Sequence, residues 1–222
     1  SAYTEYLTHI QPYFTPHFLA GITVGLDCAH GSTSTYAPAL FTHFGATVVA
    51  INNAPDGTNI NAACGSTHTE GLQRLVSDQK CMIGFAFDGD GDRVAAVNDA
   101  GEFKDGDDLL VMLASSANHA ERTPIVSTKL SNSALGNALL THNAVLISSD
   151  VGEHAVVEQM KKHNAQLGSE PSGHIVIRKH IMASDGIFAA LCVMQAALTR
   201  NNLALATFTH NPHALQNVVV TE

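Results

Sequence analysis

Short apolar runs alternate along the chain with longer stretches in which apolar residues recur at helical spacing. The short runs are bounded by Gly, Asn, Asp or Ser, which is typical of buried strands between turns. They predict strands at 22–28, 46–52, 81–88, 124–128 and 144–149, one strand and a turn within 94–103, and a strand–loop–strand unit at 165–177. The longer stretches predict helices at 36–45, 69–79, 106–120, 131–143, 152–164 and 184–200.

The alternation of strands with helices begins again after the middle of the chain. Strands separated by helices of this length form parallel βαβ units. The sequence therefore predicts an α/β protein with two consecutive, similar domains, each with a mixed, mainly parallel sheet covered by helices. We place the first domain at residues 1–103 and the second at 104–222, with the start of a linker at the end of the second.

Composition narrows the class of protein. Apolar residues make up 45% of the 222 residues and charged residues 14%, which favours a packed core over a disordered chain. No run of 18 apolar residues and no secretory signal pattern occurs in the sequence, so we expect no membrane partner. A net charge of −9 argues against a nucleic-acid partner. No CxxC pair occurs, and the widely separated cysteines predict reduced thiols in a cytoplasmic protein: Cys28, Cys64, Cys81 and Cys192.

Three aspartates follow the apolar strand that ends in "FAFD". Asp88, Asp90 and Asp92 alternate with Gly89 and Gly91, whose backbone freedom lets the three carboxylates converge. Ligands bind at the carboxyl ends of strands in open α/β sheets, and clustered carboxylates need a cation. Hard oxygen ligands of this kind suit Mg²⁺, so the sequence predicts a magnesium site here.

The spacing of these aspartates also resembles two other kinds of site. The D-x-D-x-D spacing is similar to an EF-hand, but Arg93 occupies the position that needs glycine and a strand, not a helix, precedes it. A haloacid-dehalogenase-like phosphatase fits "FAFDGDG" better. In that family Asp88 would be the nucleophile, Asp90 the acid/base, and Asp107 with Asp108 the later Mg²⁺ ligands. Against it, Asp92 stands where that family has Thr or Val, and a whole βαβ unit precedes the motif.

A wider resemblance joins six stretches that span nearly the whole chain. In their order and approximate spacing they resemble the α-D-phosphohexomutase superfamily. The stretches are "LDCAHGSTSTYAPALFTHFGATVVAI", "PDGTNINAACGSTHTEGL", "DGDGDR", "GEFKDGDDLL", "SEPSGHI" and "SDGIFAAL". Within the superfamily, "NIN", "CGSTH" and "EPSGHI" are most similar to the bacterial branch that acts on glucosamine phosphates. The phosphomannomutase/phosphoglucomutase branch is the alternative.

The resemblance implies a four-domain isomerase that moves a phosphoryl group between two positions of a hexosamine phosphate. A phosphoserine in the first domain would donate and recover that group, and Mg²⁺ would be held by Asp88, Asp90 and Asp92. This chain is similar to the second and third domains, so the resemblance implies N- and C-terminal domains of the same enzyme as partners. Arg93, the candidate catalytic residue, either holds the loop through an ion pair or reaches phosphate.

The resemblance also implies a sugar-binding loop in "SEPSGH". Glu170 and Ser172 match residues that contact sugar hydroxyls, and His174 is a further candidate. Gly152 and Glu153 belong to the same expected substrate site. The chain departs from the family pattern at three positions, where His154 replaces arginine, His30 replaces asparagine and Lys129 replaces an apolar residue.

Overall fold

The computed structural model of the protein describes residues 2–116 and 123–212. Its helices are α1 (Ala2–Ile10), α2 (Thr33–His43), α3 (Glu70–Asp78), α4 (Gly106–Ser116), α5 (Leu135–Leu140), α6 (Glu153–His163) and α7 (Gly186–Arg200). Its strands are β1 (Thr23–Asp27), β2 (Thr47–Ile51), β3 (Ile83–Phe87), β4 (Val94–Asn98), β5 (Phe103–Lys104), β6 (Thr123–Thr128), β7 (Ala144–Ser149), β8 (Leu167–Ser169) and β9 (Ile175–Ile177).

The strands form two sheets with the same order of their first four strands. The first sheet runs β2-β1-β3-β4-β5, and the second runs β7-β6-β8-β9. In each sheet the first three strands along the chain are parallel and the fourth returns antiparallel to the third. The predicted fold class, two similar α/β domains with mixed sheets and covering helices, is confirmed.

Helix α7 packs between the two sheets. Its residues Ile187–Met194 are buried, and they share one apolar cluster with side chains of α2, β1, β3, β4 and β9. Helix α4 also packs on α7 and on strands of both sheets. The two α/β units are therefore joined by a common core. The boundary between residues 103 and 104 stays a prediction, and it falls inside the short strand β5.

Helix α1 was not predicted, although the sequence contains its signal. Tyr3, Tyr6, Leu7 and Ile10 recur at the spacing of one helix face, and they pack on the common core. The helix brings the first described residues next to the start of α7. The helical spacing of apolar residues within 2–10 therefore indicates helix α1.

Some element ends differ from the prediction. Helix α2 begins at Thr33 and not at 36, because Ser32 N donates to Gly89 O and the chain enters the helix directly from that turn. Helix α5 covers Leu135–Leu140, because hydrogen-bonded turns replace the predicted helical residues on both sides. The predicted linker start at 213–222 and the predicted helix end at 117–120 lie outside the described residues.

All four cysteines are buried and unpaired, as the spacing predicts. Burial raises the pKa of the Cys28 thiol to about 12. Within the described residues, no helix has the length and hydropathy that a membrane span requires.

Candidate functional site

The three loop aspartates come together at the carboxyl end of β3. All five residues of β3 are buried, and Asp88 directly after them is only 2% exposed. Asp92 is half-buried and Asp90 is exposed. One carboxylate oxygen from each of the three lies within 4.8 Å of the others. The convergence expected from the alternating glycines is therefore present, on a loop that faces outward only at Asp90.

Asp88 is held by Arg93. Its Oδ2 accepts from Arg93 Nε at 2.6 Å, and its Oδ1 accepts from the backbone N of Arg93 and of Gly91. Burial alone would raise the pKa of Asp88, but the hydrogen bonds and the charge of Arg93 lower it below its ordinary value. Of the two roles expected for Arg93, the structure contains the ion pair that holds the loop.

Asp92 carries charge that the loop neutralises only in part, because its Oδ1 lies 3.8 Å from an Arg93 Nε that is bonded to Asp88. Burial, together with the charges of Asp88 and Asp90, raises the pKa of Asp92, and His174 only partly offsets the shift. Its Oδ1 atom is buried, and no residue in the described part of the chain donates a hydrogen bond to it. A carboxylate in this state is stabilised by a cation, which is the chemistry expected of a metal ligand.

Close backbone packing shapes the aspartate loop. A methyl group added at Gly31 would collide with Gly89 O, and one at Gly91 would collide with Thr33.

Asp27, at the end of β1, is fully buried and accepts from Gly65 N. Asp27 was not predicted as a site residue. The sequence feature that indicates it is an aspartate at the end of an apolar strand, at the same sheet edge as Asp88.

The loop "SEPSGH" lies between β8 and β9 and carries a second buried carboxylate. Glu170 is 7% exposed, and its Oε1 accepts from Gly152 N at 2.8 Å. Gly152 has a φ of 109°, which favours glycine, and Glu153 follows it in the first turn of α6. The structure thus brings the predicted residues Gly152 and Glu170 into contact, although they lie on different loops.

His174 joins this loop to the aspartate loop. Its Nε2 lies 3.1 Å from Asp92 Oδ2, and its Nδ1 lies 3.0 Å from Glu170 Oε2 and 3.1 Å from Ser172 Oγ. The sequence made His174 a further candidate for the sugar-binding loop alone. The structure instead places it between the two acidic loops.

Backbone contacts hold the two loops together. Val94 N donates to Gly173 O at 3.1 Å, next to a β-bridge between Arg93 and His174. Gly186 N, at the start of α7, donates to Gly91 O at 3.0 Å. The aspartate loop of the first sheet is therefore fixed to elements of the second half of the chain.

A cleft of about 530 Å³ opens beside Asp90 and Asp92, and Tyr6, His180 and Asp185 are among its lining residues that were not predicted. Tyr6 donates to both oxygens of Asp185 at 2.7 and 2.8 Å, and His180 Nε2 lies 2.8 Å from Asp185 Oδ2. Burial, and then the Asp185 charge, raise the pKa of Tyr6. The sequence signal for Asp185 is an aspartate immediately before an apolar helix, where it caps α7.

The departures from the expected family pattern lie at the surface. His154 is exposed in the first turn of α6, and Lys129 pairs with Asp150 at 2.9 Å with both side chains mostly exposed. His30 has a positive φ of 49°, and its Nδ1 lies near the backbone of Ala54.

The phosphatase alternative requires Asp107 and Asp108 beside Asp88. The structure places both at the start of α4, where Asp107 accepts from Asn132 N at 2.7 Å. Asp108 accepts from Thr207 Oγ1 at 2.6 Å and groups with Asp105 and His210 instead of the aspartate loop. The ligand set of that alternative is not assembled.

Comparison with known proteins identifies both halves of the chain. Residues 1–101 match the family model of phosphoglucomutase/phosphomannomutase α/β/α domain II, and residues 105–212 match that of domain III. A phosphoglucosamine mutase of Syntrophomonas wolfei is 42% identical over 92% of this chain and 45% of its own length. One of Bacillus cereus is 38% identical over 98% of this chain and 50% of its own length. The chain spans about half the length of these relatives.

Solved structures show the same fold. A phosphoglucomutase/phosphomannomutase family protein of Burkholderia thailandensis superposes with a TM-score of 0.80 at 21% identity, over 92% of this chain and 46% of its own. An Aspergillus fumigatus N-acetylphosphoglucosamine mutase, solved in complex with GlcNAc-6P and magnesium, superposes with a TM-score of 0.73 at 17% identity, over 96% of this chain and 54% of its own. With both domain models matched in sequence order, the chain belongs to the phosphoglucomutase/phosphomannomutase family.

Proposed function

We propose that this chain supplies the metal-binding and sugar-recognition domains of a phosphoglucosamine mutase, which interconverts glucosamine 6-phosphate and glucosamine 1-phosphate. The observation that carries the proposal is the 3.1 Å contact between Asp92 and His174, which places a three-carboxylate cluster against the "SEPSGH" loop. The relatives named phosphoglucosamine mutase, at 42% and 38% identity, support the choice of substrate within the family. The predicted cytoplasmic location stays a prediction.

The donor set of the aspartate loop fits Mg²⁺. Asp88, Asp90 and Asp92 offer three hard oxygen ligands, and the buried Oδ1 of Asp92 accepts no hydrogen bond among the described residues and lies 3.8 Å from Arg93 Nε. When bound there, Mg²⁺ would act as a Lewis acid toward phosphoryl oxygens. Arg93 keeps Asp88 ionised and in place, so the loop is already arranged before a cation binds.

The neighbouring loop would orient the sugar. Glu170 is fixed by Gly152 N, and a carboxylate that accepts from sugar hydroxyls forms the stronger, charge-assisted kind of hydrogen bond. Ser172 and His174 offer further polar atoms on the same side, and Glu153 begins the helix beside them. Because phosphoryl transfer depends mainly on positioning and charge neutralisation, fixed loops of this kind suit it.

The test compares sugar phosphates in the longer protein that contains this chain. With Mg²⁺ present, we expect turnover of glucosamine 6-phosphate at a higher kcat/KM than glucose or mannose phosphates. A preference for mannose or glucose phosphate would instead favour the phosphomannomutase/phosphoglucomutase branch. Equal kcat/KM values for all three sugars would contradict the proposed specificity.

A second test separates the mutase from the phosphatase. If Asp88 were a phosphatase nucleophile, the 222 residues alone would hydrolyse p-nitrophenyl phosphate with Mg²⁺, and Asp88→Asn would abolish that activity. The mutase proposal expects no such hydrolysis, because it assigns the phosphoryl-carrying serine to another domain. Mg²⁺-dependent hydrolysis that Asp88→Asn removes would count against the mutase.

A further inference from the structure

His174 has a carboxylate oxygen within 3.1 Å of each of its ring nitrogens. Nδ1 faces Glu170 at 3.0 Å and Nε2 faces Asp92 at 3.1 Å. A neutral imidazole carries one ring proton, so a neutral His174 can donate to only one of the two carboxylates. The other contact then pairs a nitrogen lone pair with an anionic oxygen, and either a second ring proton or a metal cation at that point would stabilise it.

A third ligand atom lies within reach of the same point. Glu153, in the first turn of α6, has a carboxylate oxygen that groups with Asp92 and His174, all three ligand atoms lying within 4.8 Å of one another. These residues come from three separate parts of the fold: the aspartate loop, the start of α6 and the entry to β9. Two carboxylates and one imidazole are a donor set that suits Zn²⁺ better than Mg²⁺.

Two independent features support a metal at this point. Metal-binding histidines commonly donate their other ring N–H to a carboxylate, and the 3.0 Å contact between His174 Nδ1 and Glu170 provides that arrangement. The 3.1 Å between Asp92 and His174 is also close to the separation of about 3.3 Å between two tetrahedral Zn²⁺ ligands with bonds of about 2.0 Å.

The geometry points to a second metal site, formed by Asp92, Glu153 and His174, that takes Zn²⁺ or Co²⁺ and leaves one coordination position open. The site shares Asp92 with the Asp88–Asp90–Asp92 cluster but does not use Asp90. A transition-metal ion bound there would draw Asp92 away from the hard-cation cluster and occupy His174. Mg²⁺ and Zn²⁺ would therefore compete through one shared carboxylate.

The experiment titrates the 222-residue chain with Co²⁺ and with Zn²⁺, reading the visible absorption of Co²⁺ and the heat of Zn²⁺ binding. We expect one equivalent of Co²⁺ to give a tetrahedral-type spectrum that Zn²⁺ abolishes. His174→Ala and Glu153→Gln should each remove that spectrum. Glu170→Gln, which removes the charge behind His174, should weaken Zn²⁺ binding by about 10–100-fold.

Matched variants place the metal. Asp90→Asn removes a ligand of the aspartate cluster alone, so Zn²⁺ affinity should stay within about threefold of the unmodified chain while Mg²⁺ binding is lost. His210→Ala removes a histidine from the separate Asp105–Asp108–His210 group and should leave the Co²⁺ spectrum unchanged. Circular dichroism confirms that each variant is folded, and Glu153→Gln at the start of α6 still tests the site if His174→Ala unfolds.

Three results would overturn the site. One is the absence of a Co²⁺ spectrum and of Zn²⁺ heat in the unmodified chain. Another is loss of Zn²⁺ binding in Asp90→Asn with retention in His174→Ala, which would place the ion in the aspartate cluster. The third is loss of the spectrum in His210→Ala alone. None of these depends on mutase turnover, so the site and the proposed function stand or fall separately.

Discussion

The two acidic loops occupy the same place in two sheets of the same topology. Residues 88–93 connect β3 to the antiparallel β4, and residues 170–174 connect β8 to the antiparallel β9. The first loop collects three carboxylates around an arginine, whereas the second carries one carboxylate held by a backbone N–H. The same strand-to-strand connection thus carries a cluster of three carboxylates in the first sheet and a single fixed carboxylate in the second.

The difference between the loops lies in how buried charge is balanced. Asp88 has a guanidinium partner, and Glu170 has Gly152 N and His174. Asp92, where the two loops meet, has one oxygen that accepts no hydrogen bond among the described residues and lies 3.8 Å from Arg93 Nε. The contact between the loops therefore brings together three acidic side chains with different partners, which neither loop does alone.

The largest effect is expected from separating the two loops at Gly173. Its φ is 97°, and an added methyl group would collide with Val94 O. Gly173→Ala should lower the free energy of unfolding by about 3–4 kcal/mol, since backbone strain and overpacking add. Urea denaturation measures the change.

Gly101→Ala is the matched control for Gly173→Ala. Gly101 also has a positive φ, of 79°, but an added methyl group there would meet no described atom within 4 Å. Its cost should be about 1 kcal/mol, from the backbone conformation alone. Equal costs at the two positions would mean that the loop contact contributes nothing to stability.

Removing the arginine should have the next largest effect. Arg93→Ala leaves the buried Asp88 without its 2.6 Å partner and should cost about 2–3 kcal/mol, less than a fully buried pair because Arg93 is partly exposed. Lys129→Ala breaks an exposed pair of similar length, 2.9 Å, and should cost much less than Arg93→Ala, because solvent screens the pair. Chemical denaturation of both variants tests whether burial, and not bond length, decides the cost.

The smallest effect is a pH dependence at the start of α4, where Gly106 N donates to Pro171 O beneath the second loop. Burial raises the pKa of Asp107 to about 6, and the charge of Asp105 adds to the shift. The pKa of Asp107 is ordinary in the unfolded chain and raised in the folded one, so at pH values between the two the folded state binds more protons. The free energy of unfolding therefore falls as the pH rises toward about 6.

Asp107→Asn should remove that pH dependence. Relative to the unmodified chain, the variant should gain stability near pH 7.5 and gain less near pH 4.5, where Asp107 is largely protonated. The side-chain amide oxygen can still accept from Asn132 N. Asp78→Asn, at an exposed position, serves as the control and should show no such difference. The same gain at both pH values would contradict the assignment.

The sequence predicted the aspartate cluster because its members are neighbours in the chain, and a buried strand fixes where they emerge. It could not predict the contact of His174 with Asp92, which lie 82 residues apart and meet through the packing of two sheets on α7. The link from Tyr6 to Asp185, 179 residues apart, was missed for the same reason. For Arg93, residue type alone left two roles open, and only the position of Asp88 shows the ion pair.

The most direct test of the proposed function measures the turnover of glucosamine 6-phosphate by a longer protein that contains this chain, after one loop aspartate is removed. Asp90 faces outward, and among the described residues no guanidinium holds it as Arg93 holds Asp88, so Asp90→Ala should lower kcat for glucosamine 6-phosphate by about 100-fold or more without unfolding the protein. Asp99→Ala, at an exposed turn between β4 and β5, should leave kcat unchanged. Full turnover in Asp90→Ala would contradict the proposal that this loop holds the metal.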